Sequence, residues 1–382
     1  MTEVDDLDLL LAPGVFPPDS GGPATFAPNI GRSLARRGHS IRVVTNGTAP
    51  SGFDTEYPFE VVRISRRESV PLRYADQIRT LVQEIREVQP DLVFSNAFDL
   101  QAVTAARVTR TPLLAKIVGD NAWERARRGG LEVDIETFQR RRHGPKFEAF
   151  KLLRTLQTRG ANHVAVPSAY LRDLVDGWGV SASDISVIYN SLDLDRRSIP
   201  ESERAERITT VGRLVPWKGI EGIIEAFADV SADAELHIVG DGPERESLER
   251  QAAASGRRND IVFHGRVEHR RVLELVSHSR VFTLNSTYEG LPHVVLEAMA
   301  CGTPVVASAA GGTPEAVVDA ESGCLVDAGD RDALARRIEQ LLGDPDLRDE
   351  LRRGAFEMLS SRFDHETMVD EYERLLLKVV ER

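Results

Sequence analysis

Short apolar runs of strand length alternate with segments of helical hydrophobic period along almost the whole chain. That alternation is the mark of parallel strands buried on both faces and joined by helices. In the first half, the runs predict strands at Leu7–Leu11, Ile41–Thr45, Phe59–Val62, Leu92–Phe94, Leu113–Ile117, His163–Val166 and Ile185–Ile188. Helical spacing predicts Pro23–Arg37, Tyr74–Val88, Leu100–Val108, one long helix over about Ile135–Gly160, and Ala169–Asp176. The pattern then restarts. Strands are expected at Ile208–Val211, Leu236–Val239, Ile261–Phe263, Val281–Leu284, Pro304–Ala307 and Cys324–Val326. Helices are expected at Ile220–Val230, Glu244–Ala254, Arg270–Ser277, His293–Ala300, Pro314–Asp319 and Arg331–Leu342.

Between the two series lies Ser191–Glu206, polar, charged and carrying Pro200, which reads as a linker. A chain of 382 residues is also too long for one ordinary core. The expectation is therefore an α/β chain of two doubly wound, Rossmann-like domains, 1–190 and 191–363, followed by a C-terminal helix within 364–382, near Glu366–Val380. Ligands of such sheets bind beyond the C-terminal ends of the strands. Two such domains facing each other would make a deep cleft.

Composition narrows the class. Hydrophobic content of 41% with 28% charged residues is that of a soluble globular protein. No apolar run reaches the roughly 18 residues of a membrane span. Met1-Thr-Glu-Val-Asp-Asp is acidic and lacks the basic region of a secretory signal. Cys301 and Cys324 build no disulfide framework and fit a reducing cytoplasm as small buried residues. A net charge of −12 argues against a nucleic-acid binder. Charge is uneven, however. Residues 121–160 hold ten Arg or Lys against five Asp or Glu. Two readings stand: a solvated helix face, or a surface meeting an anionic acceptor or the inner membrane leaflet, where each basic residue adds roughly 1 kcal/mol.

Four strand-to-helix loops carry candidate chemistry. In Ala12–Ala24, Gly21 and Gly22 remove side chains where a ligand could approach the backbone of an opening helix. In Val211–Gly219, Arg213 offers a planar fork for phosphate and Lys218 a point charge, so together they could neutralise a diphosphate without metal. In Tyr288–Gly302, Glu289 sits before and Glu297 more than one turn inside a helix expected to begin near Pro292, with Pro in its first turn and the amides of Gly290 and Leu291 at its positive end. Glu297 lies in an apolar run, so it is expected to be buried and to accept hydrogen bonds, as from a vicinal diol. The alternative is a carboxylate capping a neighbouring loop. In Ala309–Glu315, Thr313 as N-cap and Pro314 give a structural account and no catalytic role. No DxD-type metal pair stands out, and no organic cofactor is called for. Neither half carries GxGxxG with an acidic residue about 20 positions on, which disfavours a dinucleotide oxidoreductase.

With these residues the chain resembles a retaining glycosyltransferase of the GT-B fold, family 4. The resemblance rests on an ordered set: Gly21-Gly22, Pro167-Ser168, Tyr189-Asn190, Gly212-Arg213 with Lys218-Gly219, Gly240-Asp241-Gly242-Pro243, His264-Gly265-Arg266-Val267, Glu289 with Glu297, and Gly311-Gly312. It implies an acceptor domain followed by a donor domain, with the C-terminal helix crossing back to the first. It implies transfer of a hexose-type sugar from a UDP-, GDP- or ADP-sugar to a hydroxyl acceptor, lipid-linked or anionic among the options, in polysaccharide, glycolipid or glycan biosynthesis. By the same resemblance, Arg213 and Lys218 grip the diphosphate, Glu297 holds the ribose, and Glu289 contacts the sugar with Gly290, Leu291 and Pro292. Arg266 and Val267 border the base, and Gly22 lets the first loop close. One departure concerns a His that many members carry after the fifth strand. Here the segment reads Lys116-Ile-Val-Gly-Asp120-Asn-Ala-Trp-Glu-Arg125. Asp120 is the nearest polar candidate, either at the reacting sugar or as a helix N-cap; Asn96 is similarly placed. A nucleotide-sugar epimerase and a non-catalytic nucleotide-sugar-binding protein are the rival readings.

Overall fold

The computed structural model describes residues 6–19, 22–65, 69–97, 99–192 and 199–381. The chain divides into two compact units, 1–189 with 365–382, and 190–364.

Unit 1 is built on a seven-stranded parallel sheet. Its strands are β1 (Asp8–Pro13), β2 (Ser40–Asn46), β3 (Glu60–Ile64), β4 (Leu92–Asn96), β5 (Leu113–Lys116), β6 (His163–Val166) and β7 (Ile185–Val187), in the order β3-β2-β1-β4-β5-β6-β7. The order reverses direction between β1 and β4, the place where doubly wound sheets open a crevice. Among the described residues the α-helices within 1–189 are α1 (Gly22–Arg36), α2 (Val70–Val88), α3 (Asp99–Thr109), α4 (Asn121–Arg128), α5 (Ile135–Arg140), α6 (Pro145–Thr158) and α7 (Ala169–Gly177).

Unit 2 repeats the plan with six strands: β8 (Ala205–Val211), β9 (Glu235–Val239), β10 (Ile261–Gly265), β11 (Ser279–Leu284), β12 (Val305–Ser308) and β13 (Cys324–Val326). They run parallel in the order β10-β9-β8-β11-β12-β13, so its reversal falls between β8 and β11. Its helices are α8 (Ile220–Asp229), α9 (Arg245–Ala254), α10 (His269–Ser277), α11 (His293–Ala300), α12 (Thr313–Ala316), α13 (Arg331–Gly343) and α14 (Pro345–Arg362). The core of this unit is aliphatic, with Ile208, Ile223, Ile238, Val281, Val306 and Ile338 each fully buried.

The last helix, α15 (His365–Val380), belongs to unit 1. Met368, Val369, Tyr372, Leu375, Leu376 and Val379 form one helical stripe against Leu9, Phe26, Phe94 and Leu114. Arg37 fixes its other side through ion pairs to Glu366, Asp370 and Glu373. Lys116, at the end of β5, lies wholly buried beneath this helix. Its ammonium stands 3.7 Å from the Phe26 ring centre and donates to Tyr372 Oη at 2.6 Å. Burial holds its pKa well below the usual lysine range.

Several elements differ from the sequence expectation. The long helix over Ile135–Gly160 is two helices. Gly144 at φ 87° breaks it and Pro145 starts the second. Helices α4 and α14 were not foreseen. The first is too polar to show an apolar stripe, and the second buries only the thin line of Leu351, Ala355 and Leu359 with Arg348. The helix expected over Pro314–Asp319 covers only Thr313–Ala316, because Val317 is extended. Within the expected linker, Glu201–Glu203 form a 3₁₀ turn and β8 already begins at Ala205; residues 193–198 lie outside the described residues.

Candidate functional site

In unit 2 the loops after β8, β9, β11 and β12 crowd together at the C-terminal edge of the sheet. Glycines make this possible. A side chain at Gly219, which adopts φ 61°, would lie 2.0 Å from Asn285 O, and one at Gly240 would lie 1.8 Å from Gly212 O. Neither position has room for a Cβ, so the resemblance motifs holding these glycines have a packing cause.

Arg213 follows β8 and is exposed, its guanidinium 5.8 Å from the centre of the buried Trp217 ring. Lys218 ends a 3₁₀ turn over Pro216–Lys218. Its ammonium donates to Glu289 Oε1 at 2.5 Å, with only 15% and 10% of the two side chains exposed. Ser286 Oγ donates to the same oxygen at 2.6 Å. The Glu289 backbone is clamped in turn by the loop after β12. Gly312 N donates to Glu289 O at 2.8 Å, and a Cβ on Gly311 would stand 2.2 Å from that oxygen. Thr313 is not the N-cap of α12. Gly312 holds that position, and the buried Thr313 Oγ1 has no hydrogen-bond partner among the described residues.

Gly290, Leu291 and Pro292 are buried and lead into α11, where Pro292 occupies the N-cap position rather than the first turn. Glu297 sits in the second turn of α11. It is half-buried rather than buried, because His293, Val294 and Glu297 share the partly open face of the helix. His269, at the start of α10, meets Glu297 Oε1 through Nε2 at 2.9 Å. That hydrogen bond to the carboxylate raises the His269 pKa against partial burial. The two glutamates thus share a pattern. In each, Oε1 is held by neighbours, while among the described residues Oε2 accepts no hydrogen bond. Arg266 is exposed and Val267 half-buried, just beyond β10. Ser286 and His269 were not singled out from sequence. The Ser286-x-x-Glu289 spacing was a visible signal for the first, but nothing local links His269 to a residue on another helix.

In unit 1, Gly22 opens α1, and Gly21 lies outside the described residues. Asn96 is the last residue of β4 rather than just beyond a strand. Its backbone oxygen accepts from Gly14 N at 2.8 Å, while its 4%-exposed side-chain amide has no partner among the described residues. Asp120 is fully buried and caps α4, accepting from Ala122 N at 2.9 Å and Trp123 N at 3.1 Å. Its second oxygen accepts from Arg154 at 2.5 Å and from Gln139 at 2.7 Å. Both oxygens are therefore spent on tying α4, α5 and α6 together, which favours the N-cap reading over contact with a sugar. Other basic residues of 121–160 are also engaged internally, Arg128 with Glu124 and Lys151 with Glu148. Among the described residues no group of acidic, His or Cys side chains could hold a metal ion, and no helix is long and apolar enough to cross a membrane.

Two parallel, doubly wound sheets in series, each with its loops gathered at the reversal point, define a GT-B protein. Residues 20–196 match the profile for glycosyltransferase family 4, and residues 193–358 match that for group 1 glycosyl transferases. The chain belongs to this family of glycosyltransferases. It is 34% identical over 183 residues to the lipopolysaccharide core biosynthesis glycosyltransferase LpsE of Rhizobium meliloti, covering 48% of this chain and 53% of that one. It is 24% identical to the N-acetyl-alpha-D-glucosaminyl L-malate synthase of Bacillus anthracis, covering 95% of each. The first curated relatives are matched over 53% to 59% of their own length. The crystal structure of Anabaena HepE in complex with UDP and glucose is similar in fold, with a TM-score of 0.79 at 22% identity over 97% of this chain and all of that one.

Proposed function

We propose that the protein transfers a hexose-type sugar from a nucleotide-diphosphate donor to a hydroxyl acceptor, with retention at the anomeric carbon, in the biosynthesis of a cell-surface glycan or glycolipid. The observation that carries this reading is the paired arrangement of Glu289 and Glu297 around the start of α11, each with one oxygen anchored and the other open. An anchored carboxylate keeps its direction and loses little entropy when it accepts from a hydroxyl. Glu297 suits the ribose diol and Glu289 a sugar hydroxyl, flanked by the backbone of Gly290, Leu291 and Pro292. Lys218 uses one ammonium hydrogen on Glu289 and keeps two for phosphate oxygens. With Arg213 it supplies positive charge where a leaving diphosphate gains negative charge, the preorganised electrostatic effect that usually dominates catalysis. Arg266 and Val267 border the base in this reading. Asp120 has a positioning role only. The binding of UDP and glucose by the HepE structure supports a nucleotide-sugar donor, and the core-polysaccharide assignment of LpsE supports the glycan setting.

A thermal-shift panel of UDP-, GDP- and ADP-sugars tests the donor assignment, since a ligand at 100 times its Kd stabilises by about 2.7 kcal/mol. One nucleotide should raise Tm well above the others. No shift with any of them sinks the reading. Product formed from donor alone, without acceptor, would favour an epimerase instead.

A further inference from the structure

The described residues of unit 1 enclose a cavity of about 260 Å³ that the donor chemistry does not use. It opens beside the reversal point of the sheet. Ala97, directly after β4, lines it, and the loop after β1 touches that residue, since a side chain on Gly14 would meet Ala97 O at 2.4 Å. Ala97 adopts φ 67°. A non-glycine residue in that region costs on the order of 1 kcal/mol, and such strain gathers at binding sites.

Two helices turn one face each toward the cavity. Asn121, Arg125 and Arg128 line it from α4, at positions i, i+4 and i+7. Phe150, Leu153 and Gln157 line it from α6 with the same spacing logic. Arg154 completes the wall, already neutralised by Asp120. Arg128 is shared with Glu124 at 3.0 Å. Arg125 is exposed, and among the described residues it has neither an ion pair nor a hydrogen bond from its side chain. Among the described residues no Asp or Glu lines the cavity. The result, among the described residues, is a guanidinium fork without a counter-charge, above an apolar wall, in a space at the small end of ligand pockets.

We infer that this cavity binds the anionic group, a phosphate or carboxylate, of a compact hydroxyl-bearing acceptor. Arg125 grips the anion, Arg128 supports it, Gln157 and Asn121 take polar substituents, and Leu153 with Phe150 cover the carbon skeleton. The acceptor role rests on the glycosyl-transfer reading above; the anion site itself does not. The same anion can arrive on a soluble metabolite or on a lipid headgroup.

The test uses the full-length protein. Calorimetry compares sn-glycerol 3-phosphate with glycerol. Sedimentation compares vesicles of phosphatidylglycerol with vesicles of phosphatidylcholine. Nucleotide thermal shifts are recorded in parallel. Glycerol 3-phosphate should bind and glycerol should not, and Arg125→Gln should weaken binding about tenfold or more, as expected for loss of a charged hydrogen bond. Arg125→Lys should recover part of the loss, and neither variant should alter the nucleotide shift. Binding only to phosphatidylglycerol vesicles, lost in Arg125→Gln, supports the site with a lipid-borne anion. Absence of both kinds of binding, equal binding of glycerol, or anion binding indifferent to Arg125→Gln overturns it. A nucleotide shift without anion binding defeats the site and spares the donor reading. Anion binding without any nucleotide shift defeats the acceptor role.

Discussion

The Lys218 ammonium donates to Glu289 across 2.5 Å, joining the loop after β8 to the loop after β11. Both partners are largely withdrawn from solvent, so either one alone would be a poorly compensated charge. Removing one member of such a buried pair costs about 3–5 kcal/mol. Lys218→Ala should therefore lose stability as well as activity, and the two losses are separable. Turnover should fall on the order of 10²-fold, as for loss of one preorganised charge donor. Adding Glu289→Gln should return much of the Tm but none of the turnover. Urea denaturation and steady-state kinetics on the two single variants and the double variant form the cycle that checks this. Recovery of turnover in the double variant would show that Lys218 serves only to neutralise Glu289.

Glu297 gives a complementary expectation. Glu297→Gln should weaken donor binding about tenfold, with less change in the chemical step, because the ribose is remote from the reacting carbon. Its partner adds a pH dependence with a definite sign. Glu297 raises the His269 pKa, so the charged pair is favoured in the folded state. That stabilisation is complete below the unfolded histidine value, about 6.5, and is lost as pH rises through the higher folded value. Donor affinity followed by calorimetry from pH 5.5 to 8.5 should change across that window, and His269→Gln should flatten the change. A profile identical in His269→Gln and the parent protein would remove His269 from the donor site.

In the proposed reaction Arg213 and Lys218, rather than a metal ion, meet the charge that grows on the leaving diphosphate. Turnover should survive an excess of chelator, and added Mg²⁺ should change it little. Activity abolished by chelator and restored by Mg²⁺ would overturn the assignment.

The parts of this architecture that were legible in sequence are those set by local pattern. Strands His163–Val166 and Cys324–Val326 and helix His293–Ala300 appear as expected to the residue, because each apolar run is punctuated on one side by Pro167, Gly323 or Pro292. Glu297 is visible as a carboxylate inside an apolar run, and Glu289 as a second carboxylate eight positions earlier, at the mouth of the same loop. Contacts made across the fold were not. Gly311 reads as an ordinary turn until its missing Cβ is seen to admit the Glu289 carbonyl at 2.2 Å. His269 and Glu297 stand on different helices, 28 positions apart. Helix α14 carried its start signal in Asp344-Pro345, with Asp344 accepting from Leu347 N at 3.0 Å, but its apolar stripe is too narrow to stand out among its charges. The sequence left Asp120 with two roles because its neighbours Gln139 and Arg154 come from later helices.

Those neighbours yield the final expectation. Asp120→Asn keeps the acceptor that caps α4 but removes the charge facing Arg154 within a fully buried setting. The variant should lose about 3 kcal/mol of stability, the lower end for breaking a buried pair. Its urea midpoint should fall, with the slope of the transition unchanged. A carboxylate whose oxygens are spent on Ala122, Trp123, Gln139 and Arg154 has no lone pair directed at a reacting sugar. Turnover per folded molecule should therefore stay within a few-fold of the parent, measured at low temperature, where the variant remains folded. A drop of 10³-fold or more in turnover at full folding would return Asp120 to the chemistry and require its pair with Arg154 to open in the working enzyme.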